Sequence, residues 1–248
     1  MIEVRNLQKS FGTSKILDGV SFRIENGESV VIIGRSGGGK SVLLKHLVGL
    51  LQPDSGEVLI DGENIGPMNE RQLLRVRKKF GMVFQGAALF DSMTVAENVG
   101  FAFRNHQHLT AGEIAKRVAA ALEMVDLPGT QNRKPAELSG GMRKRVGLAR
   151  AIVYEPQIVL YDEPTTGLDP IVSDSIDKLM IRVRDHLNVT SIVVTHDMRS
   201  ARRVGNRVLM LHEKKIYANA APEEFFASPD AVVRQFVDGV ADAKECLI

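Results

Sequence analysis

Three short stretches of this chain hold residues whose types and spacing suit phosphate chemistry. Gly34-Arg35-Ser36-Gly37-Gly38-Gly39-Lys40-Ser41 meets the G-x-x-x-x-G-K-[ST] pattern at every fixed position. Its glycines let the backbone wrap a triphosphate and present N–H groups to it. Lys40 supplies a point charge for the β- and γ-phosphates, and Ser41 a hydroxyl suited to Mg²⁺. The alternative is a glycine-rich turn with an accidental lysine; the apolar strand before it and the amphipathic helix after it argue against that. Leu138-Ser139-Gly140-Gly141-Met142, with Pro135 before it and Arg143-Lys144-Arg145 after it, is the second stretch. Ser-Gly-Gly opening a helix offers free N–H groups at the positive end of the helix dipole. Alone, a glycine pair mostly marks a turn.

The third stretch is Ile158-Val159-Leu160-Tyr161-Asp162-Glu163, four apolar residues followed by two carboxylates. A buried strand delivers the pair at its C-terminal end, where α/β sheets hold ligands. Asp162 suits Mg²⁺, directly or through water, and Glu163 suits the general base that activates an attacking water. A solvated turn is the alternative, since Pro164-Thr165 follows. Thr195-His196-Asp197 closes the next strand, and a lone His there is by itself ordinary. The other histidines (His46, His106, His108, His186 and His212) read as ordinary. His106 and His108 are two apart without a further metal-type partner near in sequence, so no metal site is expected there.

These residues need strands and helices to hold them. The first 30 residues read as short strands with a turn at Phe11-Gly12-Thr13, and Ser29 to Ile33 as a continuous apolar strand entering the glycine loop. Leu43, Leu44, Leu47, Val48 and Leu51 mark one face of the helix that follows. Asp54-Ser55-Gly56 turns into a strand at Val58-Leu59-Ile60, Asn69 caps a basic helix through Lys79, and Gly81 to Phe84 is a buried strand. Between about Gly86 and Glu155 the sequence predicts helices and no strand. Thr94-Val95-Ala96-Glu97 and Thr110-Ala111-Gly112-Glu113 are capping boxes, and Ile114, Val118, Leu122 and Val125 repeat at helical spacing. Strands return at Ile158 to Tyr161 and Ser191 to Val194. Strands alternating with helices predict an α/β fold with a largely parallel sheet.

Composition sets the outer limits. The chain has 248 residues, 44% hydrophobic and 25% charged, which suits one large domain or two sharing a core. A net charge of +2 gives no electrostatic case for nucleic acid. The clusters Arg71, Arg75, Arg77, Lys78, Lys79 and Arg199, Arg202, Arg203, Arg207 read as solvated helix faces. No apolar run approaches the roughly 20 residues that cross a bilayer, and the N-terminus enters strand alternation directly at Ile2-Glu3-Val4-Arg5 with no signal peptide. A cytoplasmic chain is expected, meeting a membrane only through a partner. The single Cys246 forbids an internal disulfide and reads as a free thiol.

Two phosphate cradles, with the paired carboxylates after the second, resemble the ATP-binding cassette (ABC) ATPases over nearly the whole chain. The resemblance implies a RecA-like P-loop NTPase core with an N-terminal β-subdomain and an inserted α-helical subdomain. Residues 1–240 are then one ABC ATPase domain, its core at 1–85 and 156–228 and its helical subdomain at 86–155, with a C-terminal helix and tail at 229–248. It implies ATP hydrolysis with ATP and Mg²⁺. Glu163, His196 (the switch histidine) and Gln85 (the Q-loop glutamine) take catalytic roles, and Ser41, Gln85 and Asp162 take the metal. Phe11 looks like the aromatic that stacks on adenine, although a core Phe is the alternative. Leu168-Asp169 looks like the D-loop that crosses a dimer interface. In these ATPases the signature loop of one subunit caps the γ-phosphate held by the other, so a head-to-tail dimer with two ATP is implied.

Finer features resemble one group within that family. Met142 stands where many relatives have Gln, Val42 follows Ser41 where Thr is common, and Arg35-Ser36-Gly37-Gly38 is a less usual loop interior. With the Phe84 to Val95 stretch and Arg234-Gln235-Phe236-Val237-Asp238-Gly239, these resemble the ATPases of phospholipid transporters that work with MCE-domain proteins, of the maintenance-of-lipid-asymmetry type. Implied partners are a second copy of the chain, an MlaE-type permease, an MCE-domain protein and an accessory STAS-domain protein, at the cytoplasmic face of a bacterial inner membrane. Ala87-Ala88-Leu89-Phe90 then lines the groove for the permease's coupling helix, with ordinary packing as the alternative. Amino-acid import, lipoprotein release and a non-transport ABC ATPase are the competing functions. The last carries two cassettes or a long coiled coil, and neither is present.

Overall fold

The computed structural model describes residues 1–105 and 109–240. His106, His108, Cys246 and the stretch Ala241 to Ile248 lie outside the described residues. The chain begins with β1 (Ile2–Phe11), β2 (Ser14–Ile24), β3 (Ser29–Gly34), α1 (Lys40–Leu47), β4 (Ser55–Ile60) and β5 (Glu63–Asn64). It continues with α2 (Glu70–Arg77), β6 (Phe80–Val83), α3 (Val95–Val99), a 3₁₀ turn at Gly100–Asn105, α4 (Ala111–Met124), a second 3₁₀ turn at Pro135–Glu137 and α5 (Gly140–Ile152). Then come β7 (Ile158–Asp162), α6 (Pro170–Leu187), β8 (Thr190–Val194), α7 (Met198–Val204), β9 (Arg207–His212), β10 (Lys215–Ala220), α8 (Pro222–Ala227) and α9 (Ala231–Asp238). Its contacts divide it into two compact units. One holds Met1–Met68 and the chain from Val193 onward; the other holds Asn69–Ile192. Among the described residues no helix is long and apolar enough to cross a membrane.

In the first unit, β1 lies between β2 and β4 in an antiparallel sheet ordered β2-β1-β4-β5. The strands expected to be short are 10 and 11 residues long. Their apolar alternation is broken by irregular register between Val4 and Leu7, where Asn6 takes a left-handed φ of 47°, and a bulge of this kind hides a long strand from a period-2 reading. All six residues of β3 are buried, and the strand pairs in parallel with β9. The β9–β10 hairpin has no counterpart in the sequence reading. Its turn residues Glu213 and Lys214 both have positive φ, 46° and 70°, a conformation usually marked by Asn or Gly.

α1 ends at Leu47 rather than continuing to Leu51, because Gly49 reverses the chain at φ 65°. On its buried face His46 is 1% exposed, with Nδ1 2.8 Å from the Val42 carbonyl oxygen. Burial pushes its pKa below the ordinary 6.5, so the fold favours neutral imidazole. The unfolded chain then binds the extra proton more readily, and stability falls as pH drops below about 6.5 towards the lower folded value. The loss in urea midpoint between about pH 7.5 and about pH 5.5 is expected to be smaller in His46→Gln than in the parent. Equal losses would remove His46 as a source of acid sensitivity.

In the second unit, β6 and β7 pair in parallel, with Phe80 opposite Ile158 and Val83 opposite Tyr161. β6 begins one residue before the expected strand and ends one residue earlier. α2 starts at the expected cap: the Asn69 side chain accepts the Gln72 N–H, and the Gln72 side chain accepts the Asn69 N–H. Thr94 with Glu97 and Thr110 with Glu113 form the reciprocal bonds expected of them. Among the described residues from Gly86 to Glu155 there are helices and turns but no strand. α5 is central to this unit. Arg145 on it donates to the Val125 carbonyl and to Asp126 Oδ2, both at 2.8 Å, and to Ser175 Oγ on α6 at 2.7 Å. Arg182 and Arg145 together hold the Asp126 carboxyl below the usual carboxylate range.

Candidate active site

The glycine loop leaves the end of β3 in the first unit. A Cβ on Gly34 would sit 2.4 Å from the Leu211 carbonyl oxygen of β9, so the chain exits against its neighbour with no room for a side chain. Gly37 at φ +72° and Gly39 at φ +99° provide the left-handed turns that bring the loop round to α1. A Cβ on Gly37 would meet nothing within 4 Å, so its left-handed φ rather than crowding calls for glycine there. Lys40, 7% exposed, opens α1 and donates from Nζ to the Gly34 and Arg35 carbonyl oxygens at 2.7 and 2.8 Å. Ser41 is exposed on the same first turn.

A cavity of about 560 Å³ borders this loop, with Lys15, Ile16, Arg35, Gly37, Gly38 and Lys214 in its wall. The wall also carries the Glu213 carboxylate, so the three cations Lys15, Arg35 and Lys214 leave it net positive, which favours an anionic ligand. Phe11 is 48% exposed, lies outside this wall, and has the Lys9 ammonium 5.5 Å from its ring centroid. His196 is exposed on the turn between β8 and α7. Its neighbours are fixed: the Asp197 N–H donates to Thr195 Oγ1 at 3.0 Å, and Asp197 Oδ1 caps α7 by accepting from Arg199 N–H at 2.8 Å.

The second unit gathers the remaining candidates. Parallel pairing of β6 and β7 sets Val83 beside Tyr161, so Gln85 and Glu163, each two residues further on, leave the same edge of the pair. Asp162 is the last residue of β7, and Glu163 turns out of the strand at a left-handed φ of 51°. Glu163 Oε2 accepts the Thr166 hydroxyl at 2.9 Å. The chain after Gln85 is also left-handed, at Ala87 (59°) and Ala88 (49°). The Arg150 guanidinium holds both residues, donating to their carbonyl oxygens at 2.7 and 2.6 Å. Of the expected apolar patch, Ala87 is buried, Leu89 half-buried, and Ala88 and Phe90 exposed, with the Phe90 ring 4.6 Å from that of Phe101. Buried Asn98 fixes this loop by accepting the Phe90 N–H at 2.8 Å and donating to the Phe90 carbonyl at 3.1 Å.

Ser139 is the N-cap of α5, its hydroxyl accepting the Met142 N–H at 3.3 Å. Leu138 is buried and its carbonyl accepts from Arg143 at 2.7 Å, whereas Ser139 stays exposed. A Cβ on Gly141 would lie 2.7 Å from Val172 Cγ1, so glycine allows α5 to approach α6. Leu168 Cδ2 lies 3.6 Å from where a Cβ on Gly140 would stand. Asp169 caps α6, accepting from the Ile171 and Val172 N–H groups at 2.9 and 3.0 Å. One participant escaped the sequence reading. Lys144, part of the basic run after Met142, is buried. Its signal is helical spacing with Leu148 and Ala151 on the apolar face of α5.

These halves match known proteins. The ABC transporter family profile covers residues 17–166. Over 238 residues the chain is 43% identical to a probable ribonucleotide transport ATP-binding protein of Mycobacterium leprae, covering 96% of this chain and 69% of that one. Over 242 residues it is 40% identical to the intermembrane phospholipid transport system ATP-binding protein MlaF of Escherichia coli, covering 98% of this chain and 90% of that one. Among solved structures, a dimeric post-hydrolysis state of an ATP-binding cassette bound to ADP and Pi superimposes with a TM-score of 0.81 at 33% identity, covering 90% of this chain and 99% of that one. A strand-borne phosphate loop and a second Ser-Gly-Gly helix start, on a chain that such a cassette matches over nine-tenths of its length, lead to one assignment: the protein belongs to the ABC transporter family and is its ATP-hydrolysing cassette.

Proposed function

We propose that this chain powers a transporter moving phospholipid between membranes, as a peripheral subunit on the cytoplasmic face of a bacterial inner membrane. The observation that carries this reading is the near end-to-end likeness to an ATPase named for intermembrane phospholipid transport. The domain is read as a core at 1–85 and 156–228, a helical subdomain at 86–155, and a C-terminal helix and tail from 229.

In the proposed mechanism, the N–H groups of Gly34, Arg35, Ser36, Gly37, Gly38 and Gly39, with the Lys40 ammonium, hold the β- and γ-phosphates of ATP. Lys40 then exchanges its bonds to Gly34 and Arg35 for phosphate oxygens. Ser41, Gln85 and Asp162 offer the hard oxygen donors suited to Mg²⁺, which supplies charge neutralisation at the phosphates when bound. Glu163 takes the proton of the attacking water, and His196 orients that water against the γ-phosphate. Phe11 stacks on adenine. Leu138, Ser139, Gly140, Gly141 and Met142 of a second copy complete the phosphate cage in a head-to-tail dimer, with Leu168 and Asp169 at the interface.

The transmembrane partner is read as an MlaE-type permease working with an MCE-domain protein and a STAS-domain protein. Its coupling helix docks at Ala88, Leu89 and Phe90, where exposed Ala88 and Phe90 flank half-buried Leu89 on a loop anchored by Asn98. The test is reconstitution with those partners in proteoliposomes, reading ATP-dependent transfer of a fluorescent phospholipid to acceptor vesicles. Ribonucleotide uptake without phospholipid transfer would overturn the lipid reading. Leu89→Asp is expected to keep ATP binding while reducing permease co-purification at least about tenfold, since docking would bury a charge where the parent buries an apolar side chain. Undiminished co-purification would remove the groove assignment.

A further inference from the structure

Lys144 is 8% exposed, although it sits in the run Arg143-Lys144-Arg145. Its neighbours have other duties: Arg143 bonds the Leu138 carbonyl, and Arg145 ties α4 and α6 to α5. The Lys144 ammonium instead reaches beneath the ends of β6 and β7. It donates to the Gln85 carbonyl oxygen and, at 3.5 Å, to the Glu163 carbonyl oxygen. Burial pushes its pKa below the ordinary lysine value, and the Glu163 charge opposes that shift. A desolvated cation is costly to keep in a fold unless it organises something. Both carbonyls belong to residues whose side chains have been assigned to hydrolysis, and Glu163 is held in a left-handed conformation that needs support.

We propose that Lys144 is a positioning residue for ATP hydrolysis, its ammonium binding the Gln85 and Glu163 carbonyls to the helix that begins with Ser139-Gly140-Gly141. The inference rests on the proposed roles of Gln85 and Glu163. It gives the signature helix a direct hold on the backbone that carries both side chains. When a partner's nucleotide engages the start of α5, a shift of that helix carries Gln85 and Glu163 with it. Small displacements suffice, because an error of about 1 Å in a reacting group can lower a rate by about 10²-fold.

The test compares Lys144→Met, Lys144→Arg and Glu163→Gln in the full chain, measuring kcat and KM for ATP, Tm, and ATP-dependent dimerisation. Lys144→Met is expected to lower kcat by about 10- to 100-fold with KM within about twofold. Its Tm should be unchanged or higher, because an apolar side chain of similar length removes a buried charge. Lys144→Arg, which keeps the cation, should recover most of the activity. In the double variant Lys144→Met with Glu163→Gln, ATP should still drive dimerisation. A Lys144→Met enzyme as fast as the parent, beside an inactive Glu163→Gln, overturns the positioning role and leaves the site assignment standing. Loss of Tm in step with kcat, or no recovery by Arg, also overturns it. Full hydrolysis by Glu163→Gln instead defeats the underlying assignment of Glu163.

Discussion

Glu163→Gln is expected to lower ATP turnover by about 10²- to 10⁴-fold while ATP binding persists. Glutamine keeps the shape of the side chain but cannot accept the proton of an attacking water. The surroundings argue that little else changes. The Thr166 hydroxyl that bonds Glu163 Oε2 at 2.9 Å can bond an amide oxygen instead. The Lys144 contact is to the backbone carbonyl, which the substitution does not alter. The left-handed φ of 51° is no harder for Gln than for Glu. Single-turnover phosphate release and equilibrium binding of a fluorescent ATP analogue separate the two steps. ATP should accumulate on the variant and hold it as a dimer, since in the proposed mechanism a second copy completes the cage around the bound phosphates. Hydrolysis at the parental rate would assign the base to another residue.

Gly81→Ala is expected to destabilise the protein by about 3 kcal/mol or more, a size reserved for substitutions with no room to relax. The Cβ would lie 2.3 Å from the Ala151 carbonyl oxygen, 3.0 Å from its carbon and 3.1 Å from Pro156 Cγ. Two of these are backbone atoms at the end of α5 and the third belongs to a rigid ring, so relief requires moving the helix from the strand. Gly81 lies in β6, paired with Val159 of β7. A shift there also misplaces Gln85 and Glu163 at the strand ends, so residual folded protein should hydrolyse ATP slowly. For a chain of this size each 1 kcal/mol moves Tm by about 2–4 °C, giving an expected drop of about 6–12 °C or more. A change below about 2 °C would mean that α5 yields easily.

The contrast between these variants separates what the sequence reveals from what it conceals. The glycine loop, the apolar strand before it, the carboxylate pair and the capping boxes were legible because each is a local rule. Gly37 and Gly39 occur where the backbone must turn left-handed, Asn69, Thr94 and Thr110 where orphan N–H groups need partners. Their causes lie within a few residues, so their letters suffice. The full length of β1 and β2 is hidden in the sequence because a bulge breaks their alternation. The β9–β10 hairpin carries no local signal because Glu213 and Lys214 form its turn without the usual residues.

The sequence alone determined the class of chemistry: phosphate binding by backbone N–H groups and Lys40, with carboxylates at a strand end. It also determined which family such a combination belongs to, because those motifs depend on residue type and spacing. Only the tertiary structure decided which cation of Arg143-Lys144-Arg145 is buried, and that its ammonium meets the carbonyls of Gln85 and Glu163, 59 and 19 residues away. It alone decided that Gly81 and Gly141 are glycines for lack of space. The physical reason is common to both. Burial and clearance are set by whichever backbone packs opposite a residue, and a one-dimensional pattern does not carry the identity of that neighbour.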